Sequence, residues 1–168
     1  MNDSSVWQAT PASAGSPGAA ATVGEFTIVS LNVSLKKGTR KQAVHSVTLV
    51  PDHGIAGDAH AGTWHRQVSF LADEAVQTMR RVLPGLAPGD FAENVTTRGV
   101  DWAALPVGTR IFLGSAELEL TQVGKECHGD GCAIRQAVGD CVMPRKGIFA
   151  RVITGGEVQI ESRGHYRF

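Results

Sequence analysis

The sequence has no bias of charge. Its 16 Lys and Arg residues balance 16 Asp and Glu, so the formal net charge is zero. Such a chain has no long-range field to gather nucleic acid or an anionic membrane, and neither is expected as a partner. It also lacks a long apolar run: nothing approaches the ~20 residues of a membrane-spanning helix. Met1 to Val23 carry no basic stretch ahead of an apolar core, and Pro11, Gly15, Pro17 and Gly18 interrupt their alanines. That is not the pattern of a secretory leader. The Ala, Ser, Pro and Gly content predicts a disordered tail over 1–23, followed by one domain over 24–168. Cysteine is scarce, and Cys127, Cys132 and Cys141 all lie in one short segment. An odd number without a leader argues against a disulfide framework and predicts a reducing, cytoplasmic setting.

What is abundant is glycine, 20 residues among 168. That is more than a helix bundle needs and implies many turns. Between the glycines the chain reads as short strands. Glu25 to Val33 alternates apolar and polar residues, and Gln42 to Leu49 follows a Lys36-Lys37-Gly38-Thr39 turn, which predicts a hairpin. Gln67 to Leu71, the end of Gly89 to Thr97, Arg110 to Leu113 and Ala116 to Gln122 read as further strands. Ile148 to Ile153 and Glu157 to Ile160 predict a last hairpin turning at Gly155-Gly156. One helix is clear, over Asp73 to Leu83, where Ala75, Val76, Met79, Val82 and Leu83 recur at helical spacing before Pro84-Gly85. A helical turn is expected over Asp101 to Leu105 and a short helix over Cys132 to Val138. The sum predicts a mainly β fold, a barrel or closed sheet with small helical insertions.

Four segments could carry chemistry. Gly57 to Gln67 sets His60, His65, Trp64 and Arg66 in a glycine-hinged loop ahead of a strand, where polar groups can reach a pocket mouth. Arg66 has the planar fork of donors that suits phosphate or carboxylate. Either histidine could instead serve only to hold its loop. Gly89 to Thr96 brings Glu93 and Asn94 into a strand flanked by apolar residues. Both need partners there, with Glu93 favoured as a loop-holding group and Asn94 as a possible pocket wall. Gln122 to Ile134 places Cys127 between Lys125 and His128, among glycines, with Cys132 five positions on. A thiolate is the useful form for sulfur transfer or metal ligation, and nearby cations favour it. His128 could move protons. Gly139 to Val152 adds a local basic patch of Arg145, Lys146 and Arg151, suited to an anionic small ligand. Cys141 there reads as packing.

The phrases GDAHAGTWHRQVS, GDFAENVTT, VGKECHGDGCAI and VGDCVMPRKGIFARV, in this order over about Phe26 to Ile160, resemble the short, stand-alone bacterial branch of the MOSC family. That family is named for the C-terminal domain of molybdenum cofactor sulfurases. The resemblance implies a MOSC-type β-barrel whose shared cysteine matches Cys127. It implies a sulfur carrier working through a persulfide, or a module binding molybdopterin or the molybdenum cofactor, and in some relatives the matching cysteine ligates molybdenum. No pyridoxal-phosphate sulfurase domain accompanies it here, so any sulfur chemistry is expected to be independent of that cofactor. A cysteine desulfurase or molybdenum cofactor biosynthesis proteins are the expected partners. In that reading Cys127, His128, Cys132 and Lys125 carry the chemistry, while His60, His65, Arg66, Asn94, Arg145 and Arg151 hold the ligand. The competing reading is a zinc or iron site drawn from His60, His65, Cys127, His128 and Cys132, although their spacing matches no common finger or His-Glu-x-x-His helix.

Overall fold

A computed structural model describes residues 21–126, 136, 139 and 141–168. Eleven strands dominate it: β1 (Val23–Val33), β2 (Gln42–Val44), β3 (Ser46–Val50), β4 (Gly54–Ile55), β5 (Val68–Ala72), β6 (Val95–Arg98), β7 (Arg110–Leu113), β8 (Ala116–Val123), β9 (Ile148–Thr154), β10 (Gly156–Gln159) and β11 (Arg163–Arg167). Two α-helices are present among the described residues, α1 (Asp73–Arg80) and α2 (Met143–Lys146), with a 3-10 turn at Trp102–Ala104. The large sheet runs β11-β7-β8-β9-β5-β6-β1-β2, and a further β11–β1 pairing closes seven of its strands into a barrel. Closure leaves those seven strands without an open edge. A small second sheet, β10-β3-β4, packs beside it. The predicted mainly β barrel is the observed fold.

Strand burial explains where the helices go. β5 is buried at every position from Val68 to Ala72. Successive side chains on a strand point to opposite faces. Val68, Phe70 and Ala72 therefore enter the barrel core with Trp102, Leu120, Ile148 and Val152. Leu71 points outward into a second cluster with Val76 of α1, Phe91, Val142, Met143 of α2 and Phe149. A strand covered on both faces reads as a continuous apolar run. β5 and β6 pair in parallel, in the register Phe70 to Val95, and α1 makes the crossover between them.

Several expected elements change in the structure. The strand expected over Gln42 to Leu49 is split in two: β2 forms the expected hairpin pairing with β1, whereas β3 leaves to pair with β10 and β4. The last hairpin does not form between β9 and β10. β9 lies between β8 and β5 in the barrel, and β10 pairs with β3. Gly155 and Gly156 serve a passage between sheets: a Cβ at Gly155 would meet the Leu49 carbonyl and Pro51, and one at Gly156 would meet Ser115. α1 ends at Arg80, and the chain turns through Val82 and Leu83, whose amides donate to the Met79 carbonyl. Val82 consequently faces solvent. β11 was not foreseen. Its only buried position is Gly164, where the Phe26 ring occupies the space of a side chain, while Tyr166 covers Gly24 on the facing strand. The helix expected over Cys132 to Val138 and the tail before residue 21 fall largely or wholly outside the described residues.

Candidate functional site: a cationic cavity on the outer barrel wall

β8 ends at Val123, and Gly124 then adopts a left-handed backbone with φ of 66°. A Cβ there would strike the carbonyl of Pro144, so only glycine lets the strand end dock on α2. The docking is fixed by the Gly124 amide, which donates to the Gly147 carbonyl at 2.7 Å. Lys125 follows directly. It lines a cavity of about 170 Å³ together with Lys37, His60, Trp64, Arg66, Ser69, Phe91, Ala92, Asn94, Met143 and Phe149. Ser69 and Phe149 are outward-facing neighbours in the β5–β9 register, so the cavity sits on the outside of the barrel wall.

Five of the residues singled out in the sequence therefore meet here: His60, Trp64, Arg66, Asn94 and Lys125. Among the described residues, three of the lining side chains are Lys or Arg, and no Asp or Glu lines the cavity. The Arg66 guanidinium packs over the Trp64 ring at 4.8 Å and the Phe149 ring at 5.7 Å. Such contacts hold a guanidinium by its faces and leave its N–H edge for other use. Its Nε is buried and has no hydrogen-bond partner among the described residues. A buried, charged donor without an acceptor is costly.

Behind this wall lies a buried ion pair that sequence reasoning missed. Lys41 Nζ lies 2.5 Å from Asp58 Oδ1, and both side chains are essentially inaccessible to solvent. Asp58 also accepts from the backbone amides of Ser34 and His60, each at 3.0 Å. Burial pushes its carboxyl up, but the Lys41 ammonium and those two amides outweigh burial and hold it well below the usual carboxylate range. For Lys41 burial is the larger effect, and it lowers the ammonium below its ordinary value despite Asp58. Lys41 Nζ also reaches His60 Nδ1 at 3.1 Å, and the His60 carbonyl accepts from Trp64 Nε1 at 2.8 Å. The Gly-Asp loop thus ties the ion pair to the cavity wall. A lysine and an aspartate 17 positions apart carry no motif, so the spacing gave no signal.

The GDFAEN segment works from beneath. Glu93 is fully buried, and Oε1 accepts from the Gly89 amide at 2.6 Å and from Thr96 Oγ1 at 2.7 Å, while Oε2 accepts from the Phe91 amide at 3.2 Å. Burial pushes its carboxyl up against these donors. The turn it holds presses Gly89, at φ 87°, against the Lys41 carbonyl. This is the loop-holding role expected of Glu93. Asn94 lines the cavity, yet Oδ1 already accepts from Ser69 N and Oγ, and Nδ2 donates to the Asn32 carbonyl. Its amide is largely committed to joining β5, β6 and β1. Ala92 holds a left-handed backbone, φ 61°, on the cavity wall.

Other expected residues lie elsewhere. His65 is exposed, with Nε2 2.9 Å from Gln122 Oε1, and lines a separate depression with Arg151. Arg151 pairs with Glu119 at 3.2 Å. Arg145 lines a hollow of about 550 Å³ between α1 and α2, with Glu74, Asp101 and Lys146 on its walls. Cys127, His128 and Cys132 lie outside the described residues, and Cys141 is buried beside Val142, as expected of a packing residue. His60 and His65 are not brought together. Among the described residues, no group of three or more His, Cys, Asp or Glu could hold a metal ion.

The fold and cavity define a small closed β-barrel module with a cation-lined recess on its outer wall. A family model for the MOSC domain matches residues 57–163, more than half of the chain, and the chain belongs to the MOSC domain family. This links it to molybdenum cofactor sulfurases and related proteins. Among solved structures, the YUAD protein from Bacillus subtilis superposes with a TM-score of 0.74 at 19% identity, covering 88% of this chain and 98% of that one. YiiM from Geobacillus stearothermophilus gives 0.64 at 19% identity, covering 84% and 74%. YiiM from Escherichia coli gives 0.60 at 19% identity, covering 85% and 69%. At these identities the likeness shows the fold alone. No curated protein matches the sequence significantly. No helix among the described residues is long and apolar enough to cross a membrane.

Proposed function

We propose that the cavity binds the phosphate end of a flat anionic ligand of the molybdopterin class, and that Cys127 handles sulfur for it. One observation carries the reading: Arg66 is held by aromatic faces, with a buried Nε that has no acceptor among the described residues. The donor set suits such a group. Lys37, Arg66 and Lys125 offer charge-assisted donors, and the Trp64 ring offers a flat surface. At about 170 Å³ the cavity is smaller than the ~300–1,000 Å³ of whole-ligand pockets, so its described walls hold one end of such a molecule. The molybdenum cofactor, when bound, supplies a pterin dithiolate that carries the metal. The chain itself contributes binding and orientation through Arg66, Lys37 and Lys125.

Sequence supports the sulfur role, since Cys127 follows Lys125 by two residues and matches the family's shared cysteine. As a carrier, the Cys127 thiolate attacks the outer sulfur of a donor persulfide. The donor S–S bond breaks, a Cys127 persulfide forms, and the donor leaves as a thiolate, with no net oxidation.

Two measurements test the reading. Molybdopterin titrated into the protein should bind, and Arg66→Gln should weaken binding about 10- to 100-fold, the worth of a hydrogen bond to a charged group. Equal affinity in the two proteins would remove the cavity from the proposal. After incubation with a cysteine desulfurase and cysteine, mass spectrometry should show one added sulfur that disappears in Cys127→Ser. An adduct that persists in that variant removes Cys127 from the carrier role.

A further inference from the structure

We propose that the buried Lys41–Asp58 pair is a positioning device for His60, holding its ring neutral with the proton on Nε2, so that His60 offers the cavity one uncharged N–H donor for an acceptor oxygen of the ligand. The donor role rests on reading the cavity as a ligand site; the tautomer does not.

A lysine ammonium has three N–H donors and accepts nothing. Lys41 Nζ has Asp58 Oδ1 at 2.5 Å, His60 Nδ1 at 3.1 Å and Ser34 Oγ at 3.3 Å. Each donor therefore has one acceptor, provided that His60 Nδ1 carries no proton. A proton on Nδ1 would face the ammonium and leave one of its donors buried without a partner. The alternative acceptor for an Nδ1 proton is Asp58 Oδ2, but at 3.7 Å it is beyond hydrogen-bond reach. With Nδ1 directed at the buried pair, Nε2 is the ring nitrogen left for the cavity that His60 lines. The backbone is fixed as well, because the His60 amide donates to Asp58 Oδ2 and its carbonyl accepts from Trp64 Nε1. Arg66 and the two lysines attract any anion by charge. A neutral donor at a fixed place distinguishes ligands by where an oxygen sits.

The test uses the full chain with 15N-labelled histidine, and the His60 signals are assigned with His60→Gln. Long-range 1H–15N spectra at pH 7.5 should show His60 Nδ1 unprotonated and Nε2 protonated. A dominant Nδ1–H form or an imidazolium overturns the inference, and this reading needs no variant that might fail to fold. In Lys41→Met the ring should shift toward the Nδ1–H form; a folded variant with an unchanged ring also overturns it. Inorganic phosphate is the binding probe. His60→Ala should weaken phosphate about tenfold, while His60→Gln, which keeps an N–H donor, should stay within about threefold of wild type. Equal loss in both variants overturns the donor role. An Nδ1–H ring with phosphate binding that still depends on Arg66 overturns the positioning role alone. Failure of the wild type to bind phosphate overturns the cavity reading and the donor role with it.

Discussion

Replacing Lys41 by Met tests the energetic core of the site. The substitution keeps most of the side-chain volume and removes the charge. Asp58, with a side chain about 1% exposed, then keeps its negative charge without a counterion. Breaking a buried pair by removing one partner costs about 3–5 kcal/mol. Domains hold only about 5–15 kcal/mol in total, so much of the margin is lost. For a chain of this size each kcal/mol moves Tm by about 2–4 °C, which predicts a fall of about 6–20 °C. Adding Asp58→Asn removes the stranded charge while keeping an oxygen for the Ser34 amide, so the double variant should recover part of the loss. The effect also has a pH signature. The folded carboxyl of Asp58 is depressed, so its stabilisation is present above the unfolded value of about 3.9 and is lost as pH falls through the folded one. Without Lys41 that depression weakens, so the gap between wild type and Lys41→Met should narrow below about pH 4. The assay is thermal or urea unfolding of wild type and both variants across pH. A single variant within about 1 kcal/mol of wild type, or a double variant no better than the single, would refute the reasoning.

Two further predictions concern the supports of the cavity. Glu93→Gln should cost about 1–3 kcal/mol in urea unfolding, because an amide N–H₂ would confront one of the donors now met by carboxylate oxygens. The folded Glu93 carboxyl is raised, so its contribution is full below the unfolded value of about 4.3 and is lost as pH rises through the folded one; the gap to Glu93→Gln should shrink over that rise. Gly124→Ala should destabilise by at least the ~1–2 kcal/mol of a left-handed alanine, add a clash with the Pro144 carbonyl, and weaken phosphate binding by displacing Lys125. Unchanged stability and phosphate affinity in that variant would contradict the docking role of Gly124.

The sequence exposed most of the barrel because burial on one face leaves an alternating trace, as in Glu25 to Val33, and a glycine-flanked apolar run such as Val68 to Ala72 reads as a strand even when both faces are covered. β11 left no such trace. Its Arg163-Gly164-His165-Tyr166-Arg167 run buries one glycine, and the apolar filling comes from Phe26 on another strand. The β9–β10 connection misled for a related reason: a Gly-Gly pair signals a tight turn and a close passage equally well, and only the packing on Leu49 and Pro51 decides between them. In the site, loop residues with evident chemistry, His60, Arg66, Asn94 and Lys125, were legible and converge. Lys41 was not, because a lysine at the start of a strand reads as solvated until its buried partner is known. Lys37 was read only as part of a turn, although it lies 5.6 Å from the Trp64 ring and lines the cavity. Arg145 and Arg151 showed the same cationic pattern as Arg66, yet they sit over other hollows.

The most direct test of the account is the intact mass of gently purified protein by native mass spectrometry, for wild type, Arg66→Gln and Cys127→Ser. Wild type should carry a pterin-sized increment that is lost with Arg66→Gln, and an added sulfur that is lost only with Cys127→Ser. A wild-type chain that stays at its bare mass after exposure to molybdopterin and to a sulfur-loaded desulfurase would contradict it.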